Sequence, residues 1–231
     1  MATEAAGQLQ IHRLDLKAYS QMVEYGALEG LPIELVHGLL VDKWGADPGD
    51  GLPVYRLSVD TYNDIVESGA LDGQPVELIE GLIVDMVMSP QGVGHAEVIE
   101  ALTEYFAHSQ ARVRVQLPFR VPPNSMPEPD LAVLAERPPR GKHPSEALLI
   151  VEVASSSHKF DRGAKAAIYA RAGVAAYWLV DVPGRAIEVR TEPGADGYGR
   201  CEVFREGATV PSPVSGADEL DVAALLAGVG K

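Results

Sequence analysis

The stretch Leu148-Leu149-Ile150-Val151-Glu152-Val153-Ala154-Ser155 decides the reading of the fold. It is a nearly continuous apolar run of strand length, which predicts a β-strand covered on both faces. Glu152 interrupts it, and an unpaired carboxylate in such a place costs several kcal/mol, about the price of an unmade buried polar contact. Two further stretches flank the run. Upstream lies Glu128-Pro129-Asp130-Leu131-Ala132-Val133, and downstream lies Asp161-Arg162-Gly163-Ala164-Lys165. Carboxylates at neighbouring strand ends are ligands suited to Mg²⁺ or Mn²⁺, hard cations that keep several waters. A nearby lysine can orient the attacking water or neutralise charge developing on a phosphate. Asp130, Glu152 and Lys165 are therefore the candidate catalytic residues, with Asp130 and Glu152 as the metal ligands. For Lys165 an ordinary i,i+4 helix pair with Asp161 is an equally good reading of the spacing.

Outward from that centre, the first half of the chain is an internal duplication. Residues 13–44 align without a gap on residues 56–87 at an offset of 43, with 16 of 32 positions identical. Matched residues include Tyr19 and Tyr62, Gly26 and Gly69, Pro32 and Pro75, Glu34 and Glu77, and Gly38 and Gly81. Each copy reads as a short amphipathic helix followed by a hairpin, with Ser58 as an N-cap in the second. Residues 1–12 read as a flexible N-terminus and the Gly-, Pro- and Asp-rich residues 45–55 as a linker. The main domain is expected over 56–231, including the second copy.

Past residue 93 the pattern predicts a helix at 94–109 and strands at 112–117, 131–135 and 148–153. A helix at 162–172, capped by Asp161, comes next. A hairpin at 176–182 and 186–190, a strand near 201–204 and a helix at 219–226 follow. Ser155, Ser156 and Ser157 read as loop and capping residues, and Tyr169 and Tyr177-Trp178 as core. This order describes an α/β or α+β domain with a mixed β-sheet flanked by helices and a duplicated N-terminal unit.

Composition narrows the function classes. The 231 residues carry a net charge of −14. Residues 1–110 hold 4 basic and 18 acidic side chains, and residues 111–185 hold 11 and 7. The region around the candidate site is thus mildly basic in an acidic protein, and any nucleic-acid binding is expected to be weak and salt-sensitive. One cysteine, Cys201, excludes an internal disulfide, and the chain has no signal peptide pattern or membrane-length apolar run. A soluble, cytoplasmic protein is the expectation.

The ordered motifs ELIEGLIVDM at 77–86, SPxxxxHAxxxxxL at 89–102, PDLAV at 129–133, VEVxSxS at 151–157, DRGAKxxxYxxxGVxxYWLVD at 161–181 and IEVR at 187–190 resemble the Uma2 family of endonucleases. That family is placed in the PD-(D/E)xK, or restriction-endonuclease-like, superfamily. The resemblance implies a restriction-endonuclease-like fold and metal-dependent hydrolysis of phosphodiester bonds, with DNA as the partner. It also implies Asp130 and Glu152 as the two acids, Glu77 and His95 at the edge of the cleft, and a homodimer. Ala154 stands where the superfamily has its lysine, and the resemblance moves that role to Lys165. The rival reading is a noncatalytic module of the same fold that uses its acidic N-terminal repeat as a partner surface.

Overall fold

A computed structural model describes residues 10–45, 51–86, 93–154 and 161–228, the side chains of Asp161 and Arg162 excepted. The chain divides into two compact units. One comprises 6–86 and 121–127; the other comprises 1–5, 87–120 and 128–231.

The first unit holds both copies of the duplication. Helix α1 (Leu16–Tyr25) precedes strands β1 (Ile33–Val36) and β2 (Leu39–Asp42), and α2 (Val59–Glu67) precedes β3 (Val76–Ile79) and β4 (Leu82–Asp85). The repeated residues make repeated bonds. Asp15 and Ser58 cap the two helices by accepting from Ala18 N–H and Thr61 N–H. Arg13 donates to the carbonyl of His37 and Arg56 to that of Glu80. Both hairpin turns have two residues of positive φ, His37-Gly38 and Glu80-Gly81, the geometry of a two-residue turn that matches strand twist.

The segment ahead of each copy pairs with the hairpin of the other. Ile11 bridges Val84 and Val54 bridges Val41, which are equivalent pairs at the offset of 43. His12 N–H donates to Ile83 C=O and Tyr55 N–H to Leu40 C=O, each at 2.9 Å. The copies are therefore related as in an isologous dimer, where contact i to j is matched by j to i. The ends of the stretches read as flexible terminus and linker, Gln10–His12 and Pro53–Tyr55, are the segments that make this exchange. Met22, Leu57, Ile65 and Leu78 are at most 1% exposed in the shared core.

In the second unit, α3 (Val93–Ala107) leads into a six-stranded sheet of order β10-β9-β8-β7-β6-β5. The strands are β5 (Arg112–Val115), β6 (Leu131–Leu134), β7 (Leu149–Ala154), β8 (Ala176–Asp181), β9 (Ala186–Gly194) and β10 (Gly197–Arg205). Only β7 and β8 run parallel. Their connection carries a π-helical segment, Asp161–Lys165, continued by α4 (Ala166–Arg171). Strands β11 (Thr209–Val210) and β12 (Leu220–Asp221) and helix α5 (Val222–Leu225) complete the chain.

All six residues of β7 are buried, as its apolar run predicts. Val151, Val153, Trp178 and Val180 face Val98, Leu102 and Phe106 of α3 in one core. On the alternate face, Tyr177 stacks on Tyr169 of α4 with ring centroids 5.8 Å apart. Alternation along β8 thus sends Tyr177 and Trp178 to opposite covered faces.

Two helix expectations change. Asp161 lies inside the π-helical segment and does not precede a regular helix as its cap. The last helix begins at Val222, where Asp221 caps it, because Leu220 and Asp221 pair with Thr209 and Val210. Ser155–Ser157 lie outside the described residues.

The turn geometry yields a stability test. Gly81 has φ +82°, and a Cβ there would sit 2.9 Å from Arg56 Cβ and 3.0 Å from its Cα. Gly73 has φ +72° with nothing within 4 Å. Gly73→Ala should cost about 1–2 kcal/mol from left-handed backbone strain alone, and Gly81→Ala clearly more, since backbone must also move. Urea unfolding of the two variants measures the difference, and equal losses would refute the close-approach argument.

Candidate active site

Strand pairing brings the two acids together. In the antiparallel β6–β7 pair Leu131 stands opposite Val151 and Ala132 opposite Ile150. One more step along that register sets Asp130 opposite Glu152. Residues directly opposite across a ladder have Cβ atoms about 4.5–5.5 Å apart and share one face of the sheet.

Asp130 is held on several sides. Its Oδ2 accepts the backbone N–H of Val153 at 2.8 Å. Its Oδ1 lies 3.1 Å from His95 Nε2 and accepts from Gln116 Nε2 at 3.5 Å. His95 comes from the first turn of α3, whose Val98, Leu102 and Phe106 anchor that helix against the sheet. Both side chains are mostly buried, 10% exposed for His95 and 14% for Asp130.

Glu152 is more deeply set, at 5% exposure. Its Oε1 accepts from the Tyr169 hydroxyl at 3.0 Å and lies 3.5 Å from Lys165 Nζ. Lys165 ends the π-helical segment and is itself 7% exposed. Tyr169 follows it by four residues in α4, a spacing that puts both on one side of a helix. The crossover between β7 and β8 therefore carries the cation and the hydroxyl back over the acid that precedes it. Lys165 reaches the strand carboxylate, the one of the two partners its spacing allowed whose side chain is described.

Sequence reasoning assigned Tyr169 to the core alone. The signal for its second role was the i,i+4 spacing from Lys165. Gln116 was also missed, although Arg112, Arg114 and Gln116 alternate with Val113 and Val115 and so mark a polar face of β5. Glu188 is a third such residue. The register runs Glu152 to Leu179 to Glu188 across β7, β8 and β9, and Glu188 pairs with Arg190 at 3.2 Å. Glu77 belongs to the other unit, where it stands opposite Val84 in the β3–β4 hairpin at 4% exposure.

Asp130 and Glu152 fit a hard divalent cation by the chemistry of their donors, since Mg²⁺ and Mn²⁺ take one or two carboxylates and complete their shell with water. Among the described residues, no group of three or more His, Cys, Asp or Glu side chains has metal-holding geometry.

Removing one partner of a buried ion pair strands the other charge, at about 3–5 kcal/mol, whereas removing both can be nearly neutral. Lys165→Met should destabilise the protein by that order, and Lys165→Met with Glu152→Gln should recover most of the loss. Denaturant unfolding of the single and double variants tests this, and strictly additive losses would show that the pair is not coupled.

With this geometry in hand, comparison with known proteins is informative. A crystal structure described as "a putative nuclease belonging to DUF820" from Anabaena variabilis superposes with a TM-score of 0.54 at 24% identity, covering 66% of this chain and 89% of that one. At that identity the likeness establishes the fold, which is restriction-endonuclease-like as expected. No curated protein matches the chain. Residues 59–223, which include His95, Asp130, Glu152, Lys165 and Tyr169, match the Uma2 family, described as "Putative restriction endonuclease". The chain belongs to the Uma2 family.

Proposed function

We propose that the chain is a Mg²⁺- or Mn²⁺-dependent endonuclease that hydrolyses phosphodiester bonds of nucleic acid, with DNA as the substrate. The observation that carries the reading is the juxtaposition of Asp130 and Glu152 at adjacent strand ends, with Lys165 seated on Glu152. Membership of a nuclease family supports it.

The residues divide the work. Asp130 and Glu152 would hold the cation, which when bound would supply Lewis-acid polarisation and charge neutralisation at the phosphate. The Val153 N–H, Gln116 and His95 fix the rotamer of Asp130. Preorganised carboxylates need no rearrangement at the moment of reaction, which is where most electrostatic catalysis comes from. Tyr169 holds Glu152 by one hydrogen bond. Lys165 keeps its ammonium beside the metal-binding acid, where it donates a hydrogen bond to the attacking water and balances negative charge as the phosphorane geometry develops. His95 positions Asp130 and is not required to touch the substrate.

Purified protein should nick or cleave duplex DNA with Mg²⁺ or Mn²⁺ and lose that activity in EDTA. Asp130→Asn and Glu152→Gln should each reduce cleavage by about a thousandfold or more, as loss of a main electrostatic group does. Tyr169→Phe should cost less, about tenfold, since one positioning bond is lost. Cleavage that survives both acid substitutions and chelation would refute the assignment. Absence of calorimetric Mg²⁺ and Mn²⁺ binding at millimolar concentration would instead favour the noncatalytic module with its acidic repeat.

A further inference from the structure

We infer that the outer edge of strand β1, with Leu16 beside it, docks an extended segment of another protein, one with the chemistry of Pro123-Asn124-Ser125-Met126. Such docking does not depend on the carboxylate pair being a nuclease centre. Its template lies within the same unit. In the second copy the strands lie side by side in the order Ile11, β4, β3 and Met126, with Leu78 and Met126 joined by an antiparallel bridge. In the first copy the order Val54, β2 and β1 repeats this pattern as far as β1.

The segment grips the second copy at both its helix and its hairpin. Val59 N–H donates to Pro123 C=O at 2.8 Å and Gly81 N–H to Asn124 C=O at 2.6 Å. Glu80 N–H donates to the Ser125 hydroxyl at 2.9 Å, and Met126 N–H donates to Leu78 C=O at 2.7 Å. The Met126 side chain enters the shared core at 3% exposure. At the offset of 43, the groups that hold the segment correspond to Leu16 N–H, Gly38 N–H, His37 N–H and Leu35 C=O in the first copy. Backbone geometry is alike at both places. Each helix starts just after a side-chain cap, and each turn has two residues of positive φ.

Burial records the difference between the copies. Val59 is 1% exposed, and its counterpart Leu16 is 72% exposed. Leu78 and Ile79 are fully buried, whereas Leu35 and Val36 are only partly so. An open apolar side chain next to the edge of a strand is the combination that strand addition uses: backbone pairing supplies affinity and side-chain contacts supply selectivity. Each chain carries two such edges and one such segment. A second copy of this chain could cover β1 with that segment only by uncovering its own β3, so the occupant belongs to a different polypeptide.

A synthetic peptide with the sequence of residues 121–128, added to the ¹⁵N-labelled full chain, tests this through amide resonances. The segment held in the same chain keeps its place on the second copy through its high effective concentration. The peptide at millimolar concentration should therefore shift Leu16, His37 and Gly38 and leave Val59 and Gly81 fixed. Leu16→Asp in the chain should abolish those shifts, with unaltered Val59 and Gly81 resonances showing that the fold is retained. A peptide carrying Met126→Asp should also fail to produce them. Unmoved resonances at Leu16, His37 and Gly38 overturn the site, and so do equal shifts with the Met126→Asp peptide. If the chain alone forms a concentration-dependent dimer that Leu16→Asp dissolves, the edge pairs with a second copy and the assignment of a foreign segment is overturned.

Discussion

The burial of Glu152 in the central strand of the sheet is the constraint on which the second unit depends. Strand β7 is buried along its whole length, and a lone carboxylate there would have to be neutralised or excluded. The chain meets this demand within its next seventeen residues. The crossover that every parallel pair needs is used to return Lys165 and Tyr169 to Glu152. The same Tyr169 stacks on Tyr177 of the following strand, so the hydroxyl that holds the acid is fixed by aromatic packing. Structural necessity and site chemistry share one set of side chains.

Asp130 is solved differently. It sits at a strand start, where the ladder leaves the Val153 N–H to be satisfied, and its carboxylate takes that donor. His95 and Gln116 approach the other oxygen from α3 and from the edge strand. One acid is therefore held by a crossover helix and the other by the sheet and α3.

The duplicated unit obeys a separate logic. A helix and a two-stranded hairpin are too small to bury their own apolar face. Two copies solve this by covering each other and by exchanging lead-in segments, Ile11 to Val84 and Val54 to Val41. The family match covers residues 59–223 and so takes in the second copy but not the first, and the two copies pair within one chain in the reciprocal manner of isologous partners. The turn geometry repeats across the copies, with positive φ at His37-Gly38 and Glu80-Gly81, and each glycine packs closely on the equivalent arginine, Arg13 or Arg56.

Local chemistry was legible in the sequence. A continuous apolar run located the buried strand around Glu152, helical spacing located the amphipathic α3, and the self-alignment at an offset of 43 located the two repeat units. Motif order named the family and proposed the two acids. What stayed hidden was non-local. The Tyr169 hydroxyl on Glu152, the Gln116 amide on Asp130 and the reciprocal exchange of Ile11 and Val54 all join separate elements of the chain. The spacing of Lys165 suited a helix pair with Asp161 as well as a reach to the strand. The sequence by itself determined the family, the candidate residues and roughly which elements bear them. Only the tertiary structure decided who pairs with whom, because register and crossover geometry, and not residue type, set the distances over which a hydrogen bond or an ion pair forms.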